Sequence, residues 1–190
     1  MDVLERHVRP HHRAISHANQ NDFVPKARAA LGSLVFLVLV PGVVAGVVPW
    51  WLTDWQVQER YAWIPLQIAG WTLLVGGVVV LLDAFMRFVL EGIGTPAPVA
   101  PTERLVVGGL YRYVRNPMYL AVAAIIVGQA LVFGQPILLV YSAVFAVAVA
   151  AFVRWYEEPT LHRQFGEQYE RYCRAVPAWW PRRKPWTQGD

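Results

Sequence analysis

The chain has one cysteine, Cys173, among its 190 residues, and few charged residues. A single cysteine excludes an internal disulfide and any metal site made of several thiolates, and we expect no chemical role for it. Charged residues make up 16% of the chain and hydrophobic residues 56%, which is too apolar for an ordinary soluble domain of this size. Residues 29–53, 61–82 and 116–153 contain no Asp, Glu, Lys or Arg.

These charge-free stretches predict membrane spans, because a bilayer-spanning helix needs roughly 20 mostly apolar residues. Residues 133–136 (FGQP) are a turn signal that splits the longest stretch into a tight helical hairpin. We therefore expect spans near 30–50, 62–88, 117–133 and 136–156. The predicted fold is an all-α integral membrane protein with about four transmembrane helices, the last two forming the hairpin.

The second predicted span carries small residues and an ionisable pair. Gly70, Gly76 and Gly77 would allow close packing against a neighbouring helix. Asp83 precedes Arg87 by four residues, so the two side chains can pair along one helix face.

Polarity and the predicted spans divide the chain into four segments. Residues 1–28 are polar and histidine-rich, residues 29–103 hold two spans and a loop, residues 104–181 hold the hairpin and a further helix, and residues 182–190 are a basic tail. The first segment has no apolar core of a signal peptide, so we expect the first span to direct insertion. Its histidines lack carboxylate or cysteine partners at suitable spacing, and we predict no metal site.

The sequence after Pro159 predicts an amphipathic cytoplasmic helix, because apolar residues recur there at three- and four-residue spacing. They are Leu161, Phe165, Tyr169, Tyr172 and Val176. We expect this helix to lie at the membrane interface or to cover a cytoplasmic cleft. Three tryptophans among basic residues then predict an anchor at the lipid headgroups: Trp179, Trp180 and Trp186.

Cationic residues predict the orientation of the four spans. Sixteen of the seventeen Lys and Arg residues fall on one side, and only Arg60 lies opposite. The positive-inside rule then places both termini and the middle loop in the cytoplasm, as in a multi-pass protein of a bacterial inner membrane. Attraction to anionic lipid headgroups also accounts for basic ends, and no nucleic-acid partner is needed to explain the charge.

The segment 109–119 (GLYRYVRNPMY) predicts a ligand site at the start of the third span. Asn116 suits the N-cap position and Pro117 the first helical position, so backbone N–H groups there can attract an anion. Arg112 and Arg115 add donors for the same anion. Gly109 lets the backbone approach a ligand, and aromatic faces for a flat ring or a cation come from Tyr111, Tyr113 and Tyr119.

A second polar cluster ends the fourth span. Glu157 and Glu158 lie where the helix dipole is negative, so they would accept a ligand ammonium group or hydroxyls. Arg154 could pair with either of them. The hairpin would bring this cluster beside Arg115, although helix ends are also rich in Arg and Glu simply because they meet water.

The two clusters resemble the isoprenylcysteine carboxyl methyltransferase and phospholipid methyltransferase superfamily. The resemblance rests on the spacing of Gly109, Arg115-Asn-Pro and Tyr119, and on Glu157-Glu158 followed by Phe165-Gly and Val176-Pro. It implies an all-helical membrane enzyme without a Rossmann domain that uses S-adenosylmethionine. It also implies a cofactor site made of Arg115, Asn116, Pro117, Tyr119, Glu157 and Glu158. From the residue chemistry above we add Gly109 and Tyr111 to this site, and we expect catalytic roles for Arg115 and Glu158.

This chain has Asn116 where eukaryotic relatives usually have histidine, and Leu110 where many relatives have proline. Asparagine can form hydrogen bonds but cannot act as a base. We expect methyl transfer to a lipophilic carboxylate, amine or thiol that enters from the bilayer. A membrane reductase that uses NADPH and a membrane accessory protein without activity are the alternatives, and the sequence leaves the acceptor and the oligomeric state open.

Overall fold

The fold is known from a computed structural model, which describes residues 39–61, 63–91 and 105–187. The helices in these ranges are α1 Leu39–Thr53, α2 Ile64–Glu91, α3 Pro117–Phe133, α4 Pro136–Phe165 and α5 Glu167–Ala175. No strand occurs in the described ranges, so the prediction of an all-helical chain is confirmed there. The N-terminal segment 1–28, the start of the first span and most of the middle loop lie outside them.

In the described ranges, two helices are long and apolar enough to cross a membrane, Ile64–Arg87 and Pro136–Phe165. Two further apolar helices are shorter, Leu39–Thr53 and Pro117–Phe133. Many large apolar side chains on α2 and α4 are exposed, among them Trp71, Val79, Val144 and Val147. Exposure of this extent on long apolar helices fits a membrane protein. The count of four spans stays a prediction.

The predicted hairpin is present, and its turn has a local cause. Gly134 takes the left-handed conformation at φ +63° and its N–H bonds to the Ala130 carbonyl, which ends α3. Pro136 then occupies the first turn of α4, where its missing N–H costs nothing. The arms run antiparallel, so the start of α3 and the end of α4 lie at the same end of the bundle. We call this end the motif end, and the end at residues 133–136 the turn end.

Close packing of α2 against α3 depends on glycines. A Cβ on Gly70 would lie 2.9 Å from the Gly128 carbonyl oxygen, and one on Gly128 would lie 2.7 Å from the Leu74 nitrogen. A Cβ on Gly77 would lie 2.8 Å from Ile125 Cγ1, whereas one on Gly76 would meet open space. The packing role predicted from sequence is therefore confirmed for Gly70 and Gly77 and wrong for Gly76. Asp83 pairs with Arg87 at 3.9 Å, as predicted, on an exposed face.

A polar clasp fastens α1 to the hairpin. The backbone of α1 widens into a π-turn at Val43–Val47, where the Val48 N–H bonds to the Val43 carbonyl instead of that of Val44. The next proline, Pro49, has no N–H for the Ala45 carbonyl. Side chains of the hairpin satisfy both carbonyls: the Tyr141 hydroxyl donates to Val44 at 2.9 Å and Gln129 Nε2 donates to Ala45 at 2.6 Å.

The C-terminal part differs from the single amphipathic helix predicted after Pro159. α4 continues without a break to Phe165, and Gly166 at φ +50° separates it from α5. The predicted apolar face nevertheless packs together: Tyr169, Tyr172 and Val176 are buried, and Leu161 and Phe165 pack against them. Trp186 is buried in the same cluster, so its predicted role as a headgroup anchor is wrong. Trp180, in contrast, is 80% exposed.

Candidate functional site

The loop before α3 is held close to the end of α2. A short 3-10 turn spans Gly109–Arg112, and Gly109 has the positive φ of +53° that glycine adopts without strain. A Cβ on Gly109 would lie 2.6 Å from Nε of Arg87. The structure thus gives Gly109 a second constraint that the sequence did not indicate, the close approach of the Arg87 guanidinium.

Tyr111, a predicted cofactor residue, lies in the core. Its side chain is buried beside Ala84 and Val106. Burial raises the pKa of the Tyr111 phenol well above its ordinary value, so the ring stays neutral. This placement gives Tyr111 a packing role, as the residue that ties the loop to α2.

Asn116 and Pro117 begin α3 as the sequence predicts, but the Asn116 side chain does not cap the helix. Its Nδ2 donates instead to the carbonyl oxygen of Ala178 at 3.1 Å, and the residue is 7% exposed. The prediction of side-chain N-capping is therefore wrong. The reason is tertiary: the C-terminal segment passes close enough to offer a carbonyl acceptor.

A second π-turn, Val153–Glu157, presents the glutamates at the motif end. The Glu158 N–H bonds to the Val153 carbonyl, and Pro159 has no N–H to continue the regular pattern. The widened turn carries Glu157, whose Oε2 accepts a hydrogen bond of 2.9 Å from the Tyr119 hydroxyl. The hairpin thus joins a residue of the first turn of α3 to one in the π-turn of α4.

Arg115 is the centre of a half-buried charged group. Its Nη1 lies 3.1 Å from Oε1 of Glu158, and the two side chains are only 16% and 25% exposed. The same nitrogen lies 2.6 Å from the Cys173 sulfur and 3.4 Å from the Tyr169 hydroxyl. Both of these residues are on α5, so the three acceptors come from two different helices.

The neighbours of Arg115 keep its guanidinium charged. Burial alone would lower the pKa of Arg115, but Cys173, Tyr169 and Glu158 outweigh burial and the pKa lies above its ordinary value. Burial raises the pKa of Tyr169, which therefore remains a neutral phenol. Nε of Arg115 is buried and has no hydrogen-bond partner among the described residues. One donor of the guanidinium is therefore not used by any described protein atom.

Two predicted members of the site lie elsewhere. Arg112 donates from Nε to the Trp186 carbonyl oxygen at 2.7 Å, so it supports the C-terminal segment. Arg154 is exposed, and Glu158 pairs with Arg115 in its place. Sequence reasoning did not place Cys173 or Tyr169 in the site. Only their four-residue spacing on one helix face could have indicated that they meet the same partner.

An apolar groove adjoins the polar group. It has a volume of about 240 Å³ and lies between the hairpin arms at the motif end. Its lining consists of Tyr119, Leu120, Ala123, Phe145, Ala146, Val149, Ala150 and Trp179. Tyr119 belongs to both regions, because its ring lines the groove and its hydroxyl bonds to Glu157.

Comparison with known families gives a match. The profile of the phospholipid methyltransferase family matches residues 66–168, which is more than half of the chain. The match includes α3, the hairpin turn and both glutamates, and it starts within α2. Comparisons with curated proteins and with solved structures give no match. The chain has exposed apolar helices, and the matched region contains the Arg115 and Glu157 clusters. Because the match covers more than half of it, the chain belongs to the phospholipid methyltransferase family of membrane proteins.

Proposed function

We propose that the protein transfers a methyl group from S-adenosylmethionine to a lipophilic acceptor that reaches the motif end from the bilayer. Membership of a methyltransferase family supports the reaction type. The observation that carries the rest is the junction at Tyr119, where a half-buried charged group meets an apolar groove. Such a junction suits a reaction between a polar, charged methyl donor and a lipophilic acceptor.

The charged residues fit the amino-acid part of the donor. Arg115 keeps a buried Nε that has no partner among the described residues, which suits an added carboxylate acceptor. Glu158 and Glu157 offer carboxylate oxygens for an ammonium group or for ribose hydroxyls. The ring of Tyr119 is half-buried beside them and can face a cation or a flat base. Opposite charges on adjacent side chains match a zwitterion.

When bound, S-adenosylmethionine supplies a methyl group that its sulfonium already activates. The work left to the protein is to position the reactants and to exclude water. Glu158 is held by Arg115, and accepting a proton would weaken that ion pair, so we assign it to binding. Glu157 accepts only the Tyr119 hydroxyl among the described contacts, which supports Glu157 as the base if the acceptor is an amine or a hydroxyl.

The apolar groove supports a lipophilic acceptor. Its walls are aliphatic and aromatic side chains, with the Tyr119 hydroxyl as the polar group at the glutamate side. A hydrocarbon chain in this groove would place its polar head beside Glu157. A carboxylate, an amine and a thiol can all serve as this head, and a carboxylate would need no base. We further propose that the motif end faces the cytoplasm, where the donor is available, in agreement with the positive-inside rule.

Incubation of the purified protein with lipid extract and isotope-labelled S-adenosylmethionine tests this function. Mass spectrometry should find the label in a lipid product, and the mass of that product identifies the acceptor. The Arg115→Ala variant should form no product, whereas Arg154→Ala, an exposed arginine of α4, should match the wild type. Absence of any labelled lipid with the wild-type protein would contradict the proposal.

A further inference from the structure

The last part of the described chain returns along the loop that carries Arg115. Three backbone hydrogen bonds join the two: Arg115 N–H donates to Pro177, Arg182 N–H to Tyr113 and Trp186 N–H to Arg112, at 2.9, 2.9 and 3.0 Å. They occur at intervals along the loop from 112 to 115. The loop is therefore paired to the C-terminal segment along its length rather than at one point.

Side chains reinforce the pairing from both directions. The loop donates from Arg112 Nε to the Trp186 carbonyl and from Asn116 Nδ2 to the Ala178 carbonyl, at 2.7 and 3.1 Å. The Tyr172 hydroxyl donates in return to the Tyr111 carbonyl at 2.7 Å. Residues 112 and 186 thus exchange two hydrogen bonds and form a closed ring.

Trp186 fixes the far end of the segment by packing. Its side chain is 7% exposed, and its ring centroid lies 5.5 Å from that of Tyr172. Tyr169 and Val176 complete the same buried cluster. A buried tryptophan contributes more contact area than any other residue, so the closed ring at 112 and 186 depends chiefly on this side chain.

The same segment also holds the Arg115 side chain. Nη1 of Arg115 contacts the Cys173 sulfur and the Tyr169 hydroxyl, both on α5. The main chain and the guanidinium of Arg115 are thus both fixed by residues beyond 168, where the family match ends.

We propose that residues 169–186 are a clamp that positions Arg115 for its ligand, with Trp186 as the positioning residue that locks the clamp. The clamp lies outside the region that the family profile matches. Its effect on cofactor affinity rests on the proposed function, whereas its effect on the loop does not. Because the guanidinium is already held in place, ligand binding would not have to immobilise it. Loss of the Trp186 side chain would let the guanidinium move away.

Trp186→Ala tests the clamp, with Trp180→Ala as the matched control because Trp180 belongs to the same segment and is 80% exposed. Hydrogen–deuterium exchange in detergent should be about 10-fold faster at the amides of Arg115 and Arg182, which bond between the loop and the clamp, in Trp186→Ala and unchanged in Trp180→Ala. Trp186→Phe, which keeps an aromatic ring, should restore slow exchange if the first variant folds poorly. Unchanged exchange in Trp186→Ala would overturn the clamp.

Calorimetry with S-adenosylmethionine measures the consequence for the ligand. We expect affinity to fall about 10- to 100-fold in Trp186→Ala and to stay at the wild-type value in Trp180→Ala. Cys173→Ala should weaken binding, and Cys173→Ser, which keeps an acceptor for Arg115, should restore it. Equal affinity in Trp186→Ala and the wild type would overturn the positioning role. A wild-type protein that binds no S-adenosylmethionine would contradict the proposed function instead, and the exchange comparison would still decide on the clamp.

Discussion

Among the described helices, a π-turn followed by a proline occurs twice, with different chemistry in each place. Val43–Val47 in α1 and Val153–Glu157 in α4 are both π-turns, and a proline follows each by two residues, Pro49 and Pro159. At the first turn, neutral hairpin side chains satisfy the carbonyls that the turn exposes. At the second, the turn presents two carboxylates to Arg115 and Tyr119. Irregular backbone in an apolar helix thus serves packing at one end, and at the other end it arranges charge.

The largest difference between the two ends should come from Arg115→Ala. This change removes the charged partner of Glu158 and the donor proposed for the ligand carboxylate. We expect affinity for S-adenosylmethionine to fall about 100-fold or more, with membrane insertion intact. Calorimetry measures the affinity, and Arg154→Ala is the control because that side chain is exposed. Wild-type affinity in Arg115→Ala would remove the motif end from the binding site.

A change in the clasp should lower stability and leave cofactor affinity unchanged, the opposite of the change at Arg115. Gln129→Leu leaves the Ala45 carbonyl and the Trp55 indole N–H, which donates to Gln129 Oε1 at 3.2 Å, without their partner. We expect a loss of about 1–2 kcal/mol in the free energy of unfolding and unchanged cofactor affinity. Thermal unfolding in detergent and calorimetry check the two parts. Gln168→Leu, at an exposed glutamine, should change neither; reduced affinity in Gln129→Leu would mean that the two ends are coupled.

A smaller effect is expected from Tyr119→Phe. The change keeps the ring in the apolar groove and removes only the hydrogen bond to Glu157. Affinity for S-adenosylmethionine should fall ~2- to 10-fold, since one hydrogen bond to a charged group is lost. Tyr156→Phe is the matched control, because that exposed ring keeps its stacking on Phe152. An equal loss of affinity in both variants would show that the Tyr119 hydroxyl does not contribute specifically to binding.

The smallest change in affinity is expected from replacing Pro159, with the replacement of Pro49 as its control. Pro159→Ala restores an N–H that can bond to the Trp155 carbonyl, so the π-turn can relax and shift both glutamates. We expect weaker S-adenosylmethionine binding than in the wild type, by less than in Tyr119→Phe. Pro49→Ala restores an N–H at the clasp and should leave affinity unchanged. The same calorimetric titration measures both, and equal affinities would mean that the turn at 153–157 does not set the carboxylate positions.

The sequence predicted those parts of the fold that depend on local signals. Pro117 and the residues 133–136 mark helix ends by their own chemistry, and the structure places helix ends there. The family could also be predicted, because its motif residues stand at fixed spacing, and the match over 66–168 confirms it. The adjacency of Tyr119 and Glu157 follows from the hairpin alone. The roles assigned to the site residues stay predictions.

The parts that could not be predicted depend on which segments meet in space. Asn116 has the chemistry of an N-cap, yet a carbonyl of the C-terminal segment takes its amide. Trp186 lies among basic residues, as interfacial tryptophans do, yet it is buried against Tyr172. Gly76 and Gly77 are adjacent and chemically identical, and only the direction of α3 makes one of them necessary. Local sequence carries no information about such partners.

Calorimetry of the detergent-purified wild-type protein with S-adenosylmethionine and, separately, with NADPH decides between a methyltransferase and the alternatives. We expect saturable binding of S-adenosylmethionine and no binding of NADPH, because Arg115, Glu157 and Glu158 match a zwitterion. Binding of NADPH alone would favour a reductase, and binding of neither would favour an accessory protein; each of these results would contradict the account.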